Sequence, residues 1–251
     1  MKLMPASVRF ALVALLALSA AQAADKYLFA YFTGNGETGV YFALSDDGYH
    51  YRALNGGKPW LPPAHEDQLM RDPHIARDPK GGFHMVWTWG WTGNVFGHAH
   101  SQDLMTWGDQ TATPAFPGVE GVKNVWAPEL VHDPKTGEWL VFWSSTIAGR
   151  FPESASSLDN GNNHRIYAVA TRDFKSFSEP WVLFEPGYPV IDATIVPGPQ
   201  GYDMFFKDER GQAVAQTDPA RHGPVSPRAV EDPGGRVHRG VVRGAIRAAG
   251  G

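Results

Sequence analysis

The sequence predicts an all-β fold, a β-propeller that is incomplete in this chain. Three observations lead there: a recurring strand-and-turn pattern, the lack of any long helical period, and a composition rich in aromatic residues but poor in charge. Of 251 residues, 12% are aromatic and 19% charged, with 28 Gly and 20 Pro. That balance supports a packed core and excludes a wholly disordered chain, which needs the reverse. The net charge of −4 at pH 7 offers no basic surface to a nucleic-acid partner. The chain has no Cys, so disulfides, a thiol nucleophile and Cys-ligated metals are all excluded.

Residues 1–23 read as an export signal and not as part of the fold. Lys2 and Arg9 supply a basic start, Phe10 to Leu18 a short apolar run, and Ala21-Gln22-Ala23 the small-x-small pattern of a cleavage site. The run falls short of the roughly 20 apolar residues needed to span a bilayer, and no later segment reads as a membrane anchor. The mature chain is therefore expected in the periplasm or outside the cell.

Residues 24–210 carry the repeats. Ser45-Asp46-Asp47, Ser101-Gln102-Asp103 and Thr171-Arg172-Asp173 each follow a strand-like run, and each Asp precedes an aromatic by four residues: Tyr51, Trp107 and Phe177. The Asp-to-Asp intervals are 56 and 70 residues. The stretch from Arg150 to His164, rich in Ser, Asn and Gly, reads as a loop inserted between strands of the third blade. A second pattern runs from Asp72 to Thr88, again from Ala127 to Trp143, and begins a third time at Asp192. Each copy is a short strand, a Gly-containing turn and an aromatic-rich strand. Units of about 50 residues built from short strands read as propeller blades; a β-sandwich is the competing architecture.

Smaller motifs take plainer readings. Thr33-Gly34-Asn35-Gly36-Glu37 lacks the Lys-Ser/Thr ending of a phosphate loop and is expected to be the turn between the first two strands. Asp78-Pro79 and Asp133-Pro134 read as hairpin-turn residues without chemistry. His98-x-His100 places two imidazoles on one strand face, but the sequence offers no third ligand nearby, so a structural role is expected and no metal site is assigned.

The first strand of each blade lines the central channel of a propeller. Asp72, Glu129 and Asp192 open those strands here and are expected to converge as three carboxylates in an aromatic-lined cavity. Opposed carboxyl groups, one a base and one an acid, are the working parts of glycoside hydrolysis.

The boxes Arg71-Asp72-Pro73-His74-Ile75, Asn124-Val125-Trp126-Ala127-Pro128-Glu129-Leu130 and Val190-Ile191-Asp192-Ala193 resemble glycoside hydrolase family 43, as does the Ser101-Gln102-Asp103-Leu104 turn with Trp107. The resemblance covers about residues 27–210. It implies a five-bladed propeller, with about three and a half blades present, and an inverting glycosidase acting on arabinofuranosyl or xylosyl linkages. By analogy Asp72 matches the general base, and Asp192 the carboxylate that orients the acid and tunes its pKa. Arg71, Trp126, Glu129, His164 and Lys207 would line the sugar site. The partner is a carbohydrate, with neither nucleic acid nor membrane involved. No cofactor is required, and a structural cation such as calcium on the propeller axis is compatible with the acidic channel. A non-catalytic carbohydrate-binding propeller is the alternative.

Residues 211–251 depart from this pattern. All 31 aromatic residues lie at or before Phe206, and the family's general acid, a Glu in a Glu-Gly-Pro box, has no counterpart. Two accounts of this stretch stand open: a disordered tail, or a reading frame slipped near Gly211. Codons for Val241 to Arg247, read one base later, can spell Trp-Ser-Glu-Gly-Pro-Ser-Val, which contains the missing box.

Overall fold

The computed structural model describes residues 26–154, 162–198 and 201–210, together with three short strands beyond them. The expected export signal lies outside the described residues. The described chain is all-β, apart from 3₁₀ turns at Asn55–Gly57 and Pro152–Ser154. The strands are β1 (Lys26–Tyr31), β2 (Tyr41–Ser45) and β3 (Tyr51–Ala53); β4 (Arg71–Arg77), β5 (Phe83–Thr88), β6 (Val95–Ser101) and β7 (Thr111–Pro114). Then come β8 (Trp126–Asp133), β9 (Glu138–Ser145), β10 (Arg165–Thr171) and β11 (Trp181–Phe184), followed by β12 (Val190–Gly198), β13 (Gly201–Asp208), β14 (Ala213–Thr217), β15 (Arg228–Ala229) and β16 (Ile246–Ala248). They form four four-stranded sheets, three of them simple antiparallel meanders: β4 to β7, β8 to β11, and β12 to β15. The remaining sheet has the order β16-β1-β2-β3.

Register explains that order. Tyr27 pairs with Ser45 as Phe83 pairs with Ser101 and Trp139 with Thr171. β1 therefore corresponds to β5 and β9, the second strands of their sheets, and β16 takes the innermost place. The incomplete propeller expected from the sequence is what the four sheets form. The stretch 211–251 contributes β14 and β15 to the fourth sheet and β16 to the first, because the free edges of β13 and β1 carry unpaired N–H and C=O groups that a further strand satisfies. The rest of that stretch lies outside the described residues.

The repeated Ser/Thr-x-Asp motif has a direct physical cause. In the second sheet Ser101 Oγ accepts the N–H groups of Asp103 and Leu104, and Asp103 Oδ1 accepts those of Met105 and Thr106. Ser45 with Asp47, and Thr171 with Asp173, repeat the arrangement. Two side-chain oxygens thus satisfy four turn N–H groups that no strand could reach. The residue after each Asp is left-handed: Gly48 (φ 80°), Leu104 (φ 66°) and Phe174 (φ 54°). The same bonds hold all three Asp carboxyls below the usual carboxylate range, with the His50 ring the largest influence on Asp47.

The cores lie between consecutive sheets. Leu28, Val40 and Phe42 pack with Ile75, Met85 and Trp87; Val86, Phe96 and Phe116 pack with Val141, Trp143 and Tyr167; Phe142 and Ile166 pack with Val190, Met204 and Phe206. Each buried Phe or Ile side chain contributes about 1.5–3 kcal/mol, so stability resides in sheet-to-sheet faces, as a propeller requires. The insertion from Arg150 to His164 joins β9 to β10 in the third sheet, and Thr33 to Glu37 lies in the turn between β1 and β2, both as the sequence predicts.

Candidate functional site

The inner strands β4, β8 and β12 share one local defect. Each slips register near its start, between Arg71 and His74, Trp126 and Glu129, and Ile191 and Thr194. Each slip holds a non-glycine residue at positive φ: Asp72 (49°), Ala127 (48°) and Asp192 (57°). Such bulges re-aim a side chain at the rim of a sheet, and left-handed backbone at a non-glycine residue costs of order 1–3 kcal/mol unless its surroundings hold it.

Cross-strand partners do the holding. Thr88 pairs with Arg71, Ser144 with Trp126 and Lys207 with Ile191, so these three occupy one equivalent position. Thr88 donates its hydroxyl to Asp72 Oδ2 at 3.1 Å and accepts the N–H of Ala127 at 2.7 Å. Ser144 Oγ accepts the N–H of Asp192 at 3.2 Å. Lys207 Nζ donates to Asp192 Oδ2 at 3.0 Å. One position per sheet thus fixes its own bulge carboxylate, the bulge of the next sheet, or both. Neither Thr88 nor Ser144 was among the residues expected to matter; the signal is a hydroxyl 17 positions after Arg71 and 18 after Trp126, visible only once register is known.

Expected site residues fall into two levels. Arg71 lies over the rings of Phe32 and Trp91, 4.8 and 4.2 Å from their centroids. Trp126 meets Trp91 edge-on at 5.9 Å and donates its indole N–H to Trp91 O at 2.9 Å. Trp91, 49% exposed, is the aromatic face that the sequence reading overlooked, although the alternating Trp87, Trp89 and Trp91 run signals it. His164 packs its ring 5.0 Å from that of Trp126 and is itself buried. Its Nδ1 lies 2.9 Å from Glu209 Oε2, while its Nε2 has no hydrogen-bond partner among the described residues.

Glu129 requires a correction. It does not stand level with Asp72 and Asp192, because the bulge position of the third sheet belongs to Ala127. Glu129 sits two residues farther along β8, equivalent to His74 in β4, and is buried with Oε2 3.7 Å from His74 Nε2. The bulge of the third sheet thus carries no carboxylate, and Glu129 lies buried beside His74.

The structure brings further polar side chains to the His98-x-His100 motif. Strand pairing sets His84 opposite His100, and the Asp78 carboxylate reaches the same place from the β4–β5 turn. Burial keeps His84 and His98 below the ordinary imidazole range, His98 at about 3. Asp78 also holds its turn, accepting the Lys80 N–H at 2.8 Å, as Asp133 does for Lys135. Among the described residues, Asp78, His84 and His100 form the one group of three His, Asp or Glu side chains whose ligand atoms converge.

Comparisons with known proteins bear on the fold and family. An alpha-L-arabinofuranosidase of Bifidobacterium longum subsp. longum is 25% identical over 190 residues, which are 67% of this chain and 18% of that protein. An alpha-L-arabinofuranosidase structure from Clostridium thermocellum matches with TM-score 0.57 at 14% identity, over 80% of this chain and 68% of its own. An endo-arabinase structure from Bacteroides thetaiotaomicron matches with TM-score 0.54 at 15% identity, over 86% and 74%. At such identities these two carry the fold alone, an incomplete five-bladed propeller. A family model related to glycosyl hydrolase family 43, described as "Probable glycosyl hydrolase domain", matches residues 22–223. By that match, which spans most of the chain, this protein belongs to the glycosyl hydrolase 43-related family.

Proposed function

We propose that the chain is the propeller part of an exported, inverting glycoside hydrolase acting on arabinofuranosyl or xylosyl linkages of plant polysaccharides or oligosaccharides. The observation that carries the reading is the matched pair of bulges: Asp72 and Asp192 occupy the same strained position on the inner strands of two sheets, each carboxylate held by the residue across its strand. Asp72 is the base. Thr88 engages its Oδ2, and the carboxylate takes a proton from the water that attacks the anomeric carbon. Asp192, neutralised in part by Lys207, orients the group that protonates the leaving oxygen. Trp91 and Trp126 offer ring faces to the sugar, Arg71 donates to its hydroxyls, and His164 backs Trp126. Inversion fits a base and an acid that stand apart with a water between them.

Residues 1–251 hold no counterpart of the family's Glu-Gly-Pro box, so we assign none of them as the proton donor to the leaving oxygen. General acid–base catalysis contributes about 10²–10⁴-fold, and a poor leaving group feels the whole loss. The experiment compares 4-nitrophenyl α-L-arabinofuranoside and β-D-xyloside with their alkyl counterparts. Turnover confined to the activated substrates, abolished in Asp72→Asn and releasing the inverted anomer, supports the reading. Sugar binding without turnover of any substrate overturns it in favour of a non-catalytic carbohydrate-binding propeller, which the missing acid box favours.

A further inference from the structure

At the far end of the second sheet from Asp72, three side chains from three consecutive segments converge. Asp78 lies in the turn after β4, His84 in β5 and His100 in β6. Their ligand atoms all lie within 4.8 Å of one another, and His84 Nε2 is 3.1 Å from Asp78 Oδ2. Tetrahedral zinc with bonds of about 2.0–2.1 Å sets its ligands about 3.4 Å apart, so the nearer pair is already in place and the longest separation closes by side-chain rotation. We propose that Asp78, His84 and His100 form a binding site for a divalent transition-metal ion of the zinc class. Two imidazoles with one carboxylate suit zinc over the all-oxygen shells of calcium or magnesium.

The surroundings fit a ligand site. With Nε2 of His84 directed at the ion, its Nδ1–H faces His98 Nε2 at 3.0 Å, the outer hydrogen bond that orients a ligating histidine. Phe174, from the left-handed turn of the third sheet, stacks on both His84 and His98 with centroids 4.0 and 4.3 Å away. Gly82 leaves room for the third ligand, because a Cβ there would come within 2.8 Å of His100 Nε2. The six-residue step from Asp72 to Asp78 along β4 spans about 20 Å. The ion therefore clamps the β4–β5 hairpin to β6, and takes no part in chemistry at Asp72.

The test titrates the chain with Zn²⁺ alone, by calorimetry and by thermal unfolding. One saturable site per chain is expected, raising Tm by roughly 5–10 °C when free Zn²⁺ is about a hundred times Kd. Asp78→Asn and His100→Gln should each weaken binding on the order of tenfold or more, with the metal-free circular dichroism unchanged. Zn²⁺ should also shift the His84 and His100 ring resonances in the unaltered chain, a readout that requires no variant. The proposal is overturned if no saturable binding occurs, if those resonances stay fixed, or if the double variant binds as tightly as the original. The last result would place the ion on an exposed pair such as Asp47 and His50.

Discussion

Replacing Thr88 by Val keeps the side-chain shape and removes one oxygen that serves two sheets. The Ala127 N–H, whose residue is only 2% exposed, donates to that oxygen at 2.7 Å. Orphaning it costs about 1–3 kcal/mol. The hydroxyl's bond to the partly exposed Asp72 carboxylate contributes a further 0.5–1.5 kcal/mol or so. The sum is roughly 2–4 kcal/mol, concentrated where Ala127 is held at φ 48°, so the bulge of the third sheet should relax. For a domain of this size the loss corresponds to a Tm lower by about 4–15 °C. Urea unfolding followed by tryptophan fluorescence measures it, and Thr88→Ser, which keeps the oxygen, should recover most of the difference. Any turnover of activated glycosides should fall with Thr88→Val, because Asp72 loses its tether. A Val variant within about 0.5 kcal/mol of the original, or a Ser variant as unstable as Val, would refute the two-sheet staple.

Gly97→Ala should be among the worst small substitutions in the chain, because its Cβ would lie 2.0 Å from Cε2 of the fully buried Trp87; a loss of about 1–3 kcal/mol or more and an altered near-UV circular dichroism spectrum are expected. Stability should fall on acidification: Asp47, Asp103 and Asp173 are held below their unfolded value, so their contribution is complete above about pH 4 and is lost as pH drops through the lower folded values. Asp103→Asn with Asp173→Asn retains the turn acceptor without the titration and should flatten that slope in urea midpoints measured from pH 5 to 2. The gene's nucleotide sequence after the Phe205 codon should encode Glu-Gly-Pro and further aromatic repeats in the frame one base on; a closed or meaningless frame removes the slipped-frame account.

Much of the fold was legible because its instructions are local. The Ser/Thr-x-Asp turns satisfy their own N–H groups within five residues, so the motif and the aromatic that follows it mark a corner of three of the four sheets in a single sequence. Asp72 and Asp192 could be singled out for the same reason, since each sits in a short box opening a strand. Glu129 was grouped with Asp72 and Asp192 because all three lie near the openings of inner strands, whereas the register shift between Trp126 and Glu129 hands the bulge to Ala127. A one- or two-residue difference in register changes depth and face, and no composition or spacing within one strand reveals it.

The sequence by itself determined the β-class, the blade repeat, the position of the turns and the two carboxylates of the proposed chemistry. Tertiary structure alone decided which groups face them: Thr88 on Asp72, Lys207 on Asp192, Ser144 beneath the Asp192 bulge, and Asp78 beside His84 and His100. It also decided that β16 lies on β1, two ends of the chain that share no sequence pattern. Turn bonds close over a few residues and are written in the local sequence. Cross-strand and cross-sheet partners are set by pairing register and bulges, which belong to the folded assembly of strands.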